Sequence, residues 1–178
     1  MTSMMRIFGF AGWSGSGKTT LIEQVVPRLV AGGLSVSLVK HAHHNFDPDQ
    51  PGKDSYRHRQ AGCSEVLVSS GVRWALMHEL RGEAELTLDQ ALATLSPCDL
   101  ALVEGYKASA IPKLEVWRAE VRKPLLHLLD PNILGVATDS PDALPPESQA
   151  RYPVFGLSDF DAIATFVAAQ ATAHRCRN

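Results

Sequence analysis

Short, continuously apolar runs alternate along this chain with amphipathic or polar stretches. Ile7-Phe8-Gly9-Phe10-Ala11 is such a run, and it enters a Gly/Ser loop followed by Leu21, Ile22, Val25, Val26, Leu29 and Val30 at helical spacing. The order is strand, loop, helix. Gly32-Gly33 can end that helix in the left-handed conformation, while Pro27 within it removes one backbone donor and should bend it. Val36-Ser37-Leu38-Val39 then reads as a second buried strand. A helix between two apolar strands predicts a right-handed, parallel βαβ unit.

Beyond it, the polar, turn-rich stretch from His41 to Lys53 predicts a long loop at the end of the second strand, where such sheets carry function. Val66-Leu67-Val68 and Trp74-Ala75-Leu76-Met77, separated by Ser69-Ser70-Gly71, predict a hairpin that forms an antiparallel edge. Leu86, Leu88, Leu92 and Leu95 predict a short helix stopped by Pro97, and Leu100-Ala101-Leu102-Val103 a buried strand ending at Glu104-Gly105. Later strands are expected at Leu114-Glu115-Val116-Trp117, Leu125 to Leu129, Ile133 to Ala137 and Val154-Phe155-Gly156. A last helix, capped by Ser158 or Asp159, carries Ile163, Phe166 and Val167.

Composition narrows the class. A chain of 178 residues is expected to form one domain over 1–178 at about 150 residues per domain. At 45% hydrophobic and 20% charged residues it can build a core, and its apolar runs are strand-sized, too short to span a membrane. A net charge of −2 supplies no general field for nucleic acid or an acidic membrane, so any anion site must be local. The N-terminal residues lack the pattern of a secretion signal, and a cytoplasmic protein is expected. Cys63, Cys98 and Cys176 are odd in number and lack CxxC spacing, which predicts reduced thiols.

Gly12-Trp13-Ser14-Gly15-Ser16-Gly17-Lys18-Thr19 fits GxxxxGK[ST], and it lies between an apolar strand and an amphipathic helix, the context this phosphate-binding loop requires. Glycines let backbone N–H groups converge on phosphate oxygens, and the helix start adds about half a positive charge. Lys18 would bridge the β- and γ-phosphates, and the Thr19 hydroxyl would be a Mg²⁺ ligand. The expected fold is therefore α/β and P-loop NTPase-like, a mostly parallel central sheet flanked by helices with an antiparallel addition. Trp13 stands where partition-type ATPases carry an additional lysine, which disfavours that subgroup; its ring could cover nucleotide or pack on a neighbouring loop.

Such a loop needs an acidic partner for Mg²⁺ at a neighbouring strand end. Glu104 follows its strand and is better placed than Asp99, which precedes it and reads as structural. Asp139, delivered by the Ile133 to Ala137 strand, could accept the N1–H and amino group of guanine, donors that adenine lacks. The competing reading of Thr138-Asp139-Ser140-Pro141 is an ordinary turn. Lys40-His41-Ala42-His43-His44-Asn45-Phe46-Asp47 and the following Lys53 to Arg59 stay open among three readings. They are a metal site, a switch-like loop in which Asp47 or Asp54 orients metal-bound water while Lys53 and Arg57 meet phosphate, or solvated loop and helix-face residues.

Taken in order, GWSGSGKTT at Gly12 to Thr20, Val39-Lys40-His41 with His43-His44, GKDSYRHR at Gly52 to Arg59 with Ala61-Gly62, VEGYK at Val103 to Lys107 and PKLEVWR at Pro112 to Arg118 resemble one family. It is molybdopterin-guanine dinucleotide biosynthesis protein B, MobB, and the likeness runs from Arg6 to about Ala169. The resemblance implies a homodimer that binds GTP with Mg²⁺, hydrolyses it slowly if at all, and assists the guanylyltransferase MobA in converting molybdopterin into its guanine dinucleotide. Molybdopterin itself is a further candidate ligand. Carried over by residue, phosphate contacts fall on Gly15, Ser16, Gly17, Lys18, Thr19 and Thr20, the acidic metal partner on Glu104, and guanine recognition on Asp139. The alternative is a P-loop small-molecule kinase, which needs a lid of arginines, for which Arg57, Arg59 and Arg73 are the candidates. A dimer that keeps the loop without binding is the third reading; the joint presence of Lys18, Thr19 and Glu104 argues against it.

Overall fold

Seven strands form the main sheet in the computed structural model, which describes residues 4–42 and 46–175. They are β1 (Met4–Ala11), β2 (Val36–Lys40), β5 (Leu100–Glu104), β6 (Lys113–Trp117), β7 (Ile133–Thr138), β8 (Val154–Gly156) and β9 (Thr172–Arg175). The order β2-β5-β1-β6-β7-β8 is parallel throughout, and β9 runs antiparallel to the first half of β1. The chain divides into two compact units, Met1–His41 with Leu88–Asn178, and Ala42–Thr87.

Period-two patterning sorts the first unit's core into two layers. Phe8 and Phe10 of β1, Leu100 and Leu102 of β5, and Leu114 and Val116 of β6 face α1 (Lys18–Ala31) and α5 (Phe160–Gln170), against Leu21, Ile22, Val25, Leu29, Ile163, Ala164 and Val167. The intervening Met5, Ile7, Ala101 and Val103 face α3 (Leu88–Ala93) through Leu88, Ala91 and Leu92. Strands buried on both faces read as continuous apolar runs, which is why β5 was plain in the sequence. β1 leads away through α1 to β2 on one side while β6 lies on the other, so strand order reverses at its carboxyl end, the place where open parallel sheets bind ligands.

Several expected elements differ. Leu125 to Leu129 is no strand: Leu126–Leu128 form a 3₁₀ turn. The buried Glu115 carboxylate accepts the N–H groups of Leu126 (2.7 Å) and His127 (2.9 Å), and Tyr152 donates its hydroxyl to the His127 carbonyl (3.2 Å). These side chains take the polar groups a strand would have paired, so apolar composition alone did not make a strand. β9 and the helix α4 (Pro146–Arg151) were not anticipated; β9 has 4 residues and exists only through pairing with β1. Asp159 precedes α5, but its carboxylate accepts the Gly156 N–H (2.7 Å) instead of capping the helix. Pro27 is accommodated within α1, and Gly33 takes the left-handed conformation at its end (φ 87°). Asp99 is structural, accepting the N–H (2.8 Å) and hydroxyl (2.6 Å) of Ser35.

The second unit holds α2 (Asp54–Gln60) and the antiparallel pair β3 (Glu65–Ser69) and β4 (Trp74–His78), which forms a two-stranded sheet of its own. The expected hairpin is present but is not an edge of the main sheet. At its centre Arg59, 8% exposed, donates from Nη2 to both oxygens of Asp47 (2.8 Å each), from Nε to Asp49 (3.2 Å) and from Nη1 to Glu79.

Candidate nucleotide site

The loop leaving β1 can take its path only with glycine at particular places. A Cβ at Gly12, φ 151°, would lie 2.4 Å from the Val116 carbonyl oxygen and 2.7 Å from Ser16 Oγ. Gly17, φ 90°, is the residue before α1, and no side chain caps that helix. Among the described residues the N–H groups of its first turn, which includes Lys18, Thr19 and Thr20, therefore have no capping side chain and form an anion-binding position. Ser16 is 1% exposed and its hydroxyl has no partner among the described residues, a buried polar atom inside the cradle.

Lys18 folds back over the loop, donating to the carbonyls of Gly12 (3.0 Å) and Trp13 (2.9 Å). Burial pushes its ammonium below the ordinary value; nearby Glu104 opposes that shift, and Lys107 and Lys40 add to it. An anionic phosphate would offset that crowding of positive charge.

Three strand ends assemble the acidic side. Lys40 closes β2 and Glu104 closes β5 in direct register, with Glu104 opposite Phe10 of β1. The Thr19 hydroxyl donates to Glu104 Oε1 (3.0 Å), and Lys40 Nζ lies 3.3 Å from both Glu104 Oε2 and Thr19 Oγ1. A hydroxyl and a carboxylate held together are hard oxygen donors that suit Mg²⁺, which keeps several waters and needs few protein ligands. The residues fit the ion that the loop implies. Lys40 has no role in the sequence reading, because its place beside Glu104 follows from the pairing of β2 with β5 and not from a local motif.

On the other side of the loop, Asp139 follows β7. Its Oδ2 lies 3.3 Å from Arg118 Nη1, and its Oδ1 accepts the Ser140 hydroxyl (2.9 Å). Thr138 Oγ1 accepts the Ser140 N–H (3.0 Å), so turn chemistry is present beside the arginine pair. Arg118, also unassigned from the sequence, has its Nε and Nη2 each 3.5 Å from where a Gly17 Cβ would sit. It lies between Asp139 and the phosphate loop.

Trp13 packs on the neighbouring loop, donating Nε1–H to the Pro124 carbonyl (2.8 Å), with Lys107 Nζ 4.3 Å and Lys123 Nζ 5.7 Å from its ring centroid. Lys107 also lines a pocket of about 310 Å³, together with Ala11, Ala108, Leu126, Leu129, Asp130 and Ile133. His41 donates its backbone N–H to the Glu104 carbonyl (2.8 Å), and its ring meets Tyr106 at 4.9 Å. His43 and His44 lie outside the described residues. Asp47 is held by Arg59, and Asp54 faces Arg57 at 3.8 Å within its own unit, where Lys53 precedes α2. Among the described residues no three His, Cys, Asp or Glu side chains gather to hold a metal ion.

Relatives cover nearly the whole chain. It is 43% identical over 162 residues to the molybdopterin-guanine dinucleotide biosynthesis adapter protein of Escherichia coli (strain K12), spanning 89% of this chain and 92% of that protein. The protein of the same description from Haemophilus influenzae is 42% identical over 141 residues, 79% of each chain. The crystal structure of Bacillus subtilis MobB superposes with a TM-score of 0.73 at 25% identity, over 94% of this chain and 99% of that one. A MobB homolog from Bacillus stearothermophilus gives 0.67 at 28%, over 92% and 95%. The profile of the family described as molybdopterin guanine dinucleotide synthesis protein B matches residues 7–139. Because that match runs from β1 through the phosphate loop to Asp139 and the relatives extend it over most of the remaining chain, the chain belongs to the MobB family.

Proposed function

We propose that the chain is a GTP-binding, Mg²⁺-dependent adapter in the cytoplasm, which as a homodimer assists the guanylyltransferase MobA in making molybdopterin guanine dinucleotide. The observation that carries the nucleotide part is the Thr19–Glu104 contact of 3.0 Å at the start of α1, beside an uncapped helix and a lysine already folded over its loop. Phosphate contacts are assigned to Gly15, Ser16, Gly17, Lys18, Thr19 and Thr20, with Mg²⁺ on Thr19 and Glu104. Guanine preference rests on Asp139, tied to the loop side by Arg118.

The adapter role rests on the relatives, whose descriptions name them adapter proteins of this biosynthesis. Support for self-association comes from the second unit, where Leu67, Val68, Trp74 and Leu76 of the two-stranded sheet are exposed. A lone pair of strands is marginal in water, and an apolar surface of that kind calls for cover. The kinase reading loses one of its arginines, because Arg59 is enclosed by Asp47, Asp49 and Glu79.

The test is formation of the guanine dinucleotide by purified MobA from molybdopterin and GTP, with and without this protein. Wild type is expected to raise the rate. Lys18→Ala should melt like wild type but bind GTP about a hundredfold more weakly and lose the stimulation, since it removes one charged phosphate contact. Stimulation by Lys18→Ala equal to wild type would overturn nucleotide loading as the basis of the role.

A further inference from the structure

Arg118 has the geometry of a residue that serves two partners at once. It stands at the end of β6, next to the phosphate-loop strand, with its side chain about one third exposed. Among the described residues its Nη1 faces two carboxylates, Asp139 Oδ2 at 3.3 Å and Glu120 Oε1 at 3.4 Å. Both contacts are longer than the roughly 2.7–2.9 Å of a well-formed charge-assisted bond. Nε is buried and has no hydrogen-bond partner among the described residues. A buried charged donor left unpaired is costly, so such an atom points to a missing acceptor.

The place of the Nε–Nη2 edge points to that acceptor. Nε and Nη2 flank Gly17 at the same distance, 3.5 Å from an added Cβ, so the guanidinium fork lies against the residue from which α1 starts. The uncapped N–H groups of Lys18, Thr19 and Thr20 begin there. An anion seated on those groups lies beside the fork, and a planar fork suits a phosphate oxygen.

We propose that Arg118 bridges phosphate and base recognition: its Nε–Nη2 edge takes an oxygen of the nucleotide's phosphate chain while Nη1 holds the Asp139 carboxylate in place for the base. This rests on the GTP reading above. It makes Arg118 a phosphate ligand and, through Asp139, a positioning residue for base selectivity. One plane of donors fixes the two recognition elements relative to each other, so a phosphate-bound arginine also orders the carboxylate. Lysine cannot do both, because a compact ammonium lacks two separated donor edges.

The experiment measures affinities for inorganic tripolyphosphate, GTP and ATP, each with Mg²⁺, in wild type, Arg118→Gln, Arg118→Lys, Asp139→Asn and the Gln/Asn double variant, with melting temperatures as the fold control. Arg118→Gln should weaken tripolyphosphate binding on the order of ten- to a hundredfold and lower the GTP-to-ATP affinity ratio to that of Asp139→Asn. Arg118→Lys should recover much of the tripolyphosphate affinity without the ratio. Asp139→Asn should leave tripolyphosphate untouched, and adding Arg118→Gln to it should lower tripolyphosphate affinity with no further change in the ratio. Unchanged tripolyphosphate affinity in a folded Arg118→Gln protein would overturn the phosphate contact. Weakened tripolyphosphate with a wild-type ratio would overturn the bridge. Equal affinities of wild type for GTP and ATP would end the guanine reading and the bridge with it, while the tripolyphosphate arm still decides the phosphate contact.

Discussion

Glu104 is the residue on which the metal assignment turns, because its two oxygens are divided between a hydroxyl and an ammonium. Oε1 takes the Thr19 hydroxyl and Oε2 faces Lys40, so the carboxylate is fixed in position from both sides. Glu104→Gln keeps that shape and removes the charge a divalent cation needs. GTP affinity in the presence of Mg²⁺ is expected to fall about tenfold or more, and affinity in chelator to stay level or rise slightly, since a negative charge beside the triphosphate is gone. Titration under both conditions reads this. An equal loss with and without Mg²⁺ would mean that Glu104 acts through packing. At this scale the sequence exposed the loop, Lys18, Thr19 and Glu104, because each belongs to a local motif or ends an apolar run. It did not give roles to Lys40 and Arg118, whose importance comes from which strand ends lie side by side. The strands that flank β1 in the sheet, β5 and β6, both lie far from it along the chain.

Among the elements, those built from local pattern were legible and those built from a distant partner were not. β1, α1, β2, β5 and the β3–β4 pair follow from period and turn chemistry. The segment after Lys123 does not, because Glu115, buried on β6, draws it into a turn. His127, 2% exposed, completes that arrangement, its Nδ1 2.7 Å from Glu115 Oε2 and its Nε2 2.9 Å from Ser148 Oγ. Although this is a Ser–His–Glu chain, all three residues are buried, and its role is to fasten α4 and the turn to β6. Glu115→Gln turns an amide NH₂ toward donors and leaves buried groups unpaired, at a cost of about 3 kcal/mol. For a chain of this size that corresponds to a melting temperature lower by roughly 6–12 °C. Amide exchange at Leu126 and His127 should accelerate well beyond that at β5. Unchanged protection of those two amides would show that the carboxylate does not hold the turn.

For the molecule as a whole, family membership and the arrangement of strand ends point the same way from independent observations. The relatives cover most of the chain, and β1 ends where strand order reverses, with acidic and basic groups collected on either side of the loop. We propose that this end of the sheet binds GTP with Mg²⁺ and selects it over ATP. Calorimetric titration of the purified protein with GTP and with ATP, each with Mg²⁺ and with chelator, tests it directly. Measurable GTP binding strengthened by Mg²⁺ is expected, with roughly ten- to a hundredfold weaker binding of ATP, the penalty for leaving the Asp139 carboxylate without its two guanine donors. Equal affinity for the two nucleotides, or no binding of either in a protein that melts cooperatively, would contradict it.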